Sequence, residues 1–143
     1  MEHVTAIVPA GGRGERMGSG QPKQYLSLGG RPVLWHVLAH LEASPLITDI
    51  VLVLRPEDFD HCRQEVLEPG GFAKVRAVVP GGVQRRESVY LGLQQSAADI
   101  VLIHDAVRPF FSQALLARVI EATREYGAAL PGLQVIETIK EVV

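Results

Sequence analysis

Short, continuously apolar runs alternate along the chain with longer stretches whose apolar residues recur at helical spacing. The run Val4–Val8 predicts a first strand, ended by Pro9 and the glycines after it. Val33, Leu34, Val37, Leu38 and Leu41 repeat at helical intervals, with Pro32 suited to the first turn. Ile50–Leu54 is apolar throughout, as in a strand covered on both faces. Pro56, Glu57 and Asp58 then place a proline and two acids where a helix N-terminus favours them. Val75–Val79 predicts a third strand, and a helix over Arg86–Gln95 follows the Pro80-Gly81-Gly82 turn. Ile100–Ile103 predicts a fourth strand. Ser112 reads as the N-cap of a helix carrying Leu115, Leu116, Val119 and Ile120, with Gly127 at its C-terminal end. Ala128–Val135 predicts a fifth strand.

This alternation predicts an α/β fold, an open and mostly parallel sheet with helices on both faces. No repeat, low-complexity tract or linker interrupts it, so residues 1–143 read as one domain. One segment breaks the rhythm. Between the first strand and its helix lie Ala10–Arg31, where such connections usually run about 2–6 residues. The alternative to a functional loop here is a disordered surface segment.

Composition narrows the classes. The chain is 47% hydrophobic and 21% charged, which excludes a disordered protein. Its formal net charge of −2 is too balanced for a general nucleic-acid or membrane-surface binder. The charge is uneven, however. Residues 1–40 hold four basic and two acidic side chains, the rest ten basic and fourteen acidic. An anion is therefore favoured near the N-terminal loop. Cys62 is the only cysteine, which excludes an intrachain disulfide and disfavours a thiolate zinc site. The N-terminus lacks a signal-peptide pattern and no apolar run approaches the ~20 residues of a membrane span, so a cytoplasmic location is expected.

The candidate chemistry lies in three strings. The first is Ala10-Gly11-Gly12-Arg13-Gly14-Glu15-Arg16-Met17-Gly18, continuing to Pro22-Lys23-Gln24. Glycines directly after a strand let backbone N–H groups approach a phosphate, and Arg16 and Lys23 add charge. The spacing is neither that of a dinucleotide fingerprint nor that of a Walker loop. The second string, His104-Asp105-Ala106-Val107-Arg108-Pro109, follows the fourth strand. With strand order 3-2-1-4 it flanks the same crevice as the glycine loop. There Asp105 suits Mg²⁺ or ribose hydroxyls and Arg108 a second anion; the alternative is an ion pair between them within a turn. The third string is Gly81-Gly82-Val83-Gln84-Arg85-Arg86-Glu87-Ser88. Its glycines permit close approach of a flat ligand, and Ser88 suits a base edge; an ordinary turn is the alternative. His36 and His40, one helical turn apart, read as partly exposed helix residues, His104 as orienting the turn beside Asp105, and Cys62 as core filler.

Taken together, A-G-G-x-G-x-R-M-G with P-K-Q, G-G-x-x-R-x-x-S-V and H-D-A-V-R-P-F resemble the 2-C-methyl-D-erythritol 4-phosphate cytidylyltransferase family, within the glycosyltransferase-A-like nucleotidyltransferases. The likeness runs from Ala6 to about Lys140, and the sister family of ribitol-5-phosphate cytidylyltransferases shares most of it. The resemblance implies a Rossmann-like, nucleotide-diphospho-sugar transferase-like sheet. It implies Ala10, Gly11, Gly81, Gly82 and Ser88 around cytosine, and Gly12 and Gly14 on the ribose-triphosphate part of CTP. Asp105 and Ala106 would lie near the ribose and reacting phosphates, with Asp105 as the Mg²⁺ ligand. Arg16 and Lys23 would neutralise the α-phosphate, while Arg108 and a partner subunit's copy of Thr138 would hold a sugar-alcohol phosphate. Val83 departs from the acid frequent at its position, and Glu137 from the frequent aspartate. The resemblance also implies a homodimer, and a chain that stops short of the family's C-terminal part. The competing reading is a CTP-binding module without catalysis.

Overall fold

A computed structural model of the chain describes residues 1–12, 20–136 and 140. The predicted positions Arg13, Gly14, Arg16, Glu137 and Thr138 lie outside the described residues. Four strands, β1 (Val4–Pro9), β4 (Asp49–Leu54), β5 (Val75–Pro80) and β6 (Ile100–Ile103), pair in parallel in the order β5-β4-β1-β6. Counting only these four, that is the expected 3-2-1-4. Every residue of β1 and β4 is buried, which matches their uninterrupted apolar runs, while β5 and β6 are half-exposed edges.

Alternation along the strands splits the core between the two faces. Val4, Ala6 and Val8 of β1 and Ile50, Leu52 and Leu54 of β4 join the larger cluster. Covering that face are α1 (Val33–Glu42), through Leu34, Val37, Leu38 and Leu41, and α5 (Gln113–Tyr126), through Leu116 and Ile120. Cys62 and Val66 add to it from the helical stretch after β4. That stretch passes from α2 (Phe59–Cys62) through a π turn (Arg63–Leu67) to α3 (Glu68–Gly70). Ile7, Val51 and Val53 form the smaller cluster on the opposite face, where α4 (Arg85–Leu93) packs.

The approach of α4 depends on a small residue. A Cβ on Gly92 would meet Ile7 Cγ2 at 2.7 Å and Val53 Cγ2 at 3.0 Å. The helix therefore shows the sheet Ser88 and Gly92, its two buried residues, instead of a stripe of leucines.

The long connection Ala10–Arg31 has structure of its own in its described part. A 3₁₀ turn (Lys23–Tyr25) buries Gln24 and Tyr25, and a short antiparallel hairpin pairs β2 (Ser27–Leu28) with β3 (Arg31–Pro32). Pro32 is thus the residue before α1, closing the hairpin, instead of sitting in the first helical turn. The Ser112 cap is as expected, its side chain accepting from Leu115 N at 3.1 Å, and Gly127 ends α5 in the left-handed region at φ 82°.

The fifth strand expected over Ala128–Val135 does not form. Pro131 lacks an N–H donor and Gly132 weakens the extended state, so the run is cut into two short pieces. Leu130, Leu133 and Val135 are 86%, 96% and 59% exposed, and the outer edge of β6 pairs with no strand among the described residues.

Candidate functional site

The C-terminal ends of β1, β5 and β6 open into one cleft of about 270 Å³. It lies at the switch point where the chain, having moved outward from β1 to β4 and β5, returns to the other side of β1. Its walls include Ala10, Gly11 and Gly12 after β1, Gly82, Gln84, Arg85 and Ser88 after β5, and Asp105 and Ala106 after β6. All three candidate strings therefore converge, although Gly12, Gly82 and Asp105 are far apart in sequence.

Backbone hydrogen bonds extend the sheet into these loops and fix them. Ala10 N donates to Val53 O at 2.8 Å, Gly81 N to Leu54 O at 2.7 Å, and His104 N to Ile7 O at 3.0 Å. No protein acceptor faces the N–H groups of Gly11 and Gly12 among the described residues. A Cβ on Gly12 would meet nothing within 4 Å, so the space beside it is open.

The β5–α4 turn is held differently. Glu87 Oε2 accepts from Val83 N at 2.8 Å and Gln84 N at 3.2 Å, while Ser88 Oγ accepts from Gly82 N at 3.2 Å. A Cβ on Gly81 would meet Ser88 Oγ at 2.8 Å, and one on Gly82 would collide with the Glu87 side chain. Packing against the first turn of α4 is thus a sufficient reason for both glycines. Ser88 Oγ thus ties the Gly82 N–H to the first turn of α4 at the wall of the cleft.

Asp105 is the only carboxylate among the described residues lining the cleft. Arg85 Nε and Nη2 both donate to its Oδ1, at 2.9 and 2.7 Å, and Arg108 Nε donates to Oδ2 at 3.2 Å. Burial acts to raise the Asp105 pKa, but the hydrogen bonds and charges of Arg85, then of Arg108, outweigh it and hold the carboxyl below its ordinary value. The within-turn pair to Arg108 is present, and Arg85 exceeds it. That second partner opens α4, 20 positions away, and no local sequence pattern pairs it with Asp105.

Lys23 and Arg108 do not line the cleft; Lys23 stands half-buried on the 3₁₀ turn beside it. The next residue, Gln24, reaches in from beneath, donating to Ala10 O at 2.8 Å and Gly12 O at 3.2 Å. Its only sequence signal was its place in P-K-Q.

The other flagged residues serve the frame. His104 Nε2 donates to Arg108 O at 2.8 Å, which fixes the tautomer and ties down the turn. Burial lowers its pKa against the opposing effect of that bond. His36 and His40 donate to Leu28 O and Phe111 O at 2.7 and 3.1 Å. Cys62 is fully buried, and burial pushes its thiol up to about 12, which makes it inert.

A parallel α/β sheet with a glycine-lined cleft at its switch point and one arginine-held carboxylate is the architecture of the doubly wound class, in which ligands bind beyond the strand C-termini. Comparison with known proteins narrows this. The family model for 2-C-methyl-D-erythritol 4-phosphate cytidylyltransferase matches residues 4–143, and the chain belongs to that family. An enzyme of that name from Clostridium botulinum is 46% identical over 96% of this chain and 61% of its own length. One from Geotalea uraniireducens is 47% identical over 96% of this chain and 62% of its own. The crystal structure of the Thermus thermophilus enzyme superposes with a TM-score of 0.70 at 32% identity, covering 99% of this chain and 59% of that one. The chain thus spans about three-fifths of the length of the relatives it matches. No described helix is long and apolar enough to cross a membrane.

Proposed function

We propose that the protein transfers a cytidylyl group from CTP to 2-C-methyl-D-erythritol 4-phosphate and releases pyrophosphate, a step of isoprenoid precursor synthesis. The observation that carries this is the convergence of Gly11–Gly12, Gly82–Ser88 and Asp105–Ala106 on one cleft in a chain of that family. In this reading Ala10, Gly11, Gly81, Gly82 and Ser88 surround the base, and Gly12 with Gly14 meets the ribose and phosphates. Arg108 holds the acceptor, as does Thr138 of the partner in a cytoplasmic homodimer. The relatives from Clostridium botulinum and Geotalea uraniireducens, both erythritol-phosphate cytidylyltransferases by name, support the erythritol acceptor over ribitol 5-phosphate.

A phosphate oxygen of the acceptor attacks the α-phosphorus of CTP. One P–O bond forms, the bond to the bridging oxygen breaks, and pyrophosphate carries away the electron pair. The nucleophile is already anionic, so no base is required. The protein's work is positioning and charge neutralisation, assigned to Lys23 and Arg16.

Mg²⁺ fits the donor set as a shared ion. No group of three or more His, Cys, Asp or Glu among the described residues would cage it alone. One carboxylate completed by phosphate oxygens is an ordinary magnesium arrangement, and Asp105 would be that ligand. Bound there, the ion would supply positive charge to the phosphates. Arg85 and Arg108 are 60% and 75% exposed, so packing pins neither to the carboxylate.

Pyrophosphate release, measured with CTP and each acceptor in turn, tests the reading. Release with the erythritol phosphate is expected, together with a fall of about 10²–10³ in turnover for Lys23→Ala. CTP binding without release under any acceptor would make the chain a binding module, and loss of CTP binding would remove the site.

A further inference from the structure

Gln24 is buried to 2% exposure, yet its polar end borders the cleft. Its amide nitrogen lies between two backbone carbonyls, Ala10 O at 2.8 Å and Gly12 O at 3.2 Å. Two acceptors demand two hydrogens, so both amide protons are committed and the nitrogen must face the loop. The carbonyls come from either side of Gly11. Because the peptide is planar and trans, drawing Ala10 C=O toward Gln24 turns the Gly11 N–H the opposite way. That N–H and its neighbour on Gly12 have no protein acceptor among the described residues. The clamp itself is anchored. Tyr25, next in sequence, is 4% exposed in the core, and Tyr25 N and Leu26 N close the turn onto Pro22 O and Lys23 O.

We propose that Gln24 is a positioning residue that sets the backbone Gly11 N–H of the glycine loop for a polyphosphate and couples that loop to Lys23, one position before it. The inference rests on the nucleotide reading above and assigns the affinity for the phosphate chain, as distinct from the base, to a side chain that itself touches neither. Only a neutral amide does this. Methionine matches the volume without donors, and an ionised glutamate would set its charge against two carbonyl oxygens.

The experiment compares Gln24→Met with the unmodified chain for binding of CTP, inorganic triphosphate and cytidine by calorimetry, alongside thermal melting. Two lost hydrogen bonds predict an about ten- to thirtyfold weaker CTP and triphosphate affinity. Cytidine affinity should change by less than about threefold. An equal loss for cytidine and CTP, or a CTP affinity within about threefold of the unmodified chain, overturns the proposal. If the unmodified chain fails to bind CTP, the nucleotide reading falls first and this one with it. A second measurement needs no variant. Titrating inorganic triphosphate into the unmodified chain should shift the Gly11 amide resonance, and an unshifted Gly11 amide with triphosphate bound elsewhere overturns the assignment.

Discussion

Two aspartates sit at opposite ends of the same parallel sheet, each held by arginine, and they differ in nearly everything else. Asp49, at the start of β4, accepts from Thr5 Oγ1 at 2.6 Å, from Arg76 Nε at 2.9 Å and from His3 Nε2 at 3.0 Å. Its side chain is 11% exposed, and Ser96 extends the network by donating to Thr5 at 2.9 Å. Asp105, after β6, has two partners, both arginines, and its side chain is 30% exposed and faces a cleft. One carboxylate is saturated by groups that also hold the fold. The other is neutralised by two largely solvent-exposed guanidinium groups beside open space. An aspartate–arginine pair is therefore no sign of function by itself; the exposure of the arginines and the space beside the carboxylate decide.

The strongest way to break this contrast is to remove each carboxylate. Asp49→Ala leaves the Thr5 hydroxyl, Arg76 and His3 without their acceptor, and should cost about 2–3 kcal/mol. Asp105→Ala leaves two well-solvated guanidinium groups and should cost less than about 1 kcal/mol. Urea denaturation measures both. Equal losses would mean that the two ends do the same structural work.

Glycines sharpen the same contrast with a smaller effect. Gly92→Ala drives a methyl into Ile7 and Val53 in the middle of the sheet and should cost about 1–3 kcal/mol. Gly12→Ala meets open space and should leave stability within about 0.5 kcal/mol. Its effect should appear in CTP affinity instead. Melting temperatures that fall together would erase the distinction between a packing glycine and a ligand-facing one.

The pH dependence separates the turn beside Asp105 from Asp105 itself. Burial lowers the His104 pKa below its ordinary value near 6.5, so the unfolded chain takes up a proton first as pH falls. Stability attributable to neutral His104 is complete above that value and declines as pH drops toward the folded pKa. Asp105 behaves as a depressed carboxylate, its contribution complete above 3.8 and lost only as pH falls through its lower folded value. His104→Gln should flatten the stability profile between about pH 7 and 5, whereas Asp105→Asn should change its shape only in stronger acid. A profile unchanged by His104→Gln would remove the histidine from the turn.

How much of this was legible beforehand follows from range along the chain. The four long strands, α1 and α5 could be read because each announces itself locally, through β-branched runs, helical spacing, or a serine and a glycine at the ends of α5. The site strings were legible as strings, and topology alone brought them to one crevice. What was hidden is pairing across loops. Arg85 and Asp105 are 20 positions apart and meet only once the strand order is known, while Gln24, 14 and 12 positions from its acceptors, meets them only once the long connection has folded back on itself. Apolarity without context misled as well. Ala128–Val135 is apolar enough for a strand, but Pro131 and Gly132 deny it a continuous ladder. The small face of α4 gave no helical stripe, since it is chosen for closeness to the sheet and not for apolar bulk.

The finest test concerns the arginines. Arg108 makes one side-chain bond to Asp105, at 3.2 Å, and is 75% exposed; Arg85 makes two shorter ones and is 60% exposed. Exposed pairs of this kind are worth about 0–1 kcal/mol, because water and salt compete for both partners. Arg108→Ala should therefore leave stability within about 0.5 kcal/mol, and Arg85→Ala slightly more, in thermal melts repeated at low and high salt. If Arg108 is kept for an anionic acceptor, its removal should still raise the acceptor KM. A stability loss above about 1 kcal/mol with the KM unchanged would make the Asp105 cluster a structural staple like Asp49, and the division of labour between the two ends of the sheet would fail.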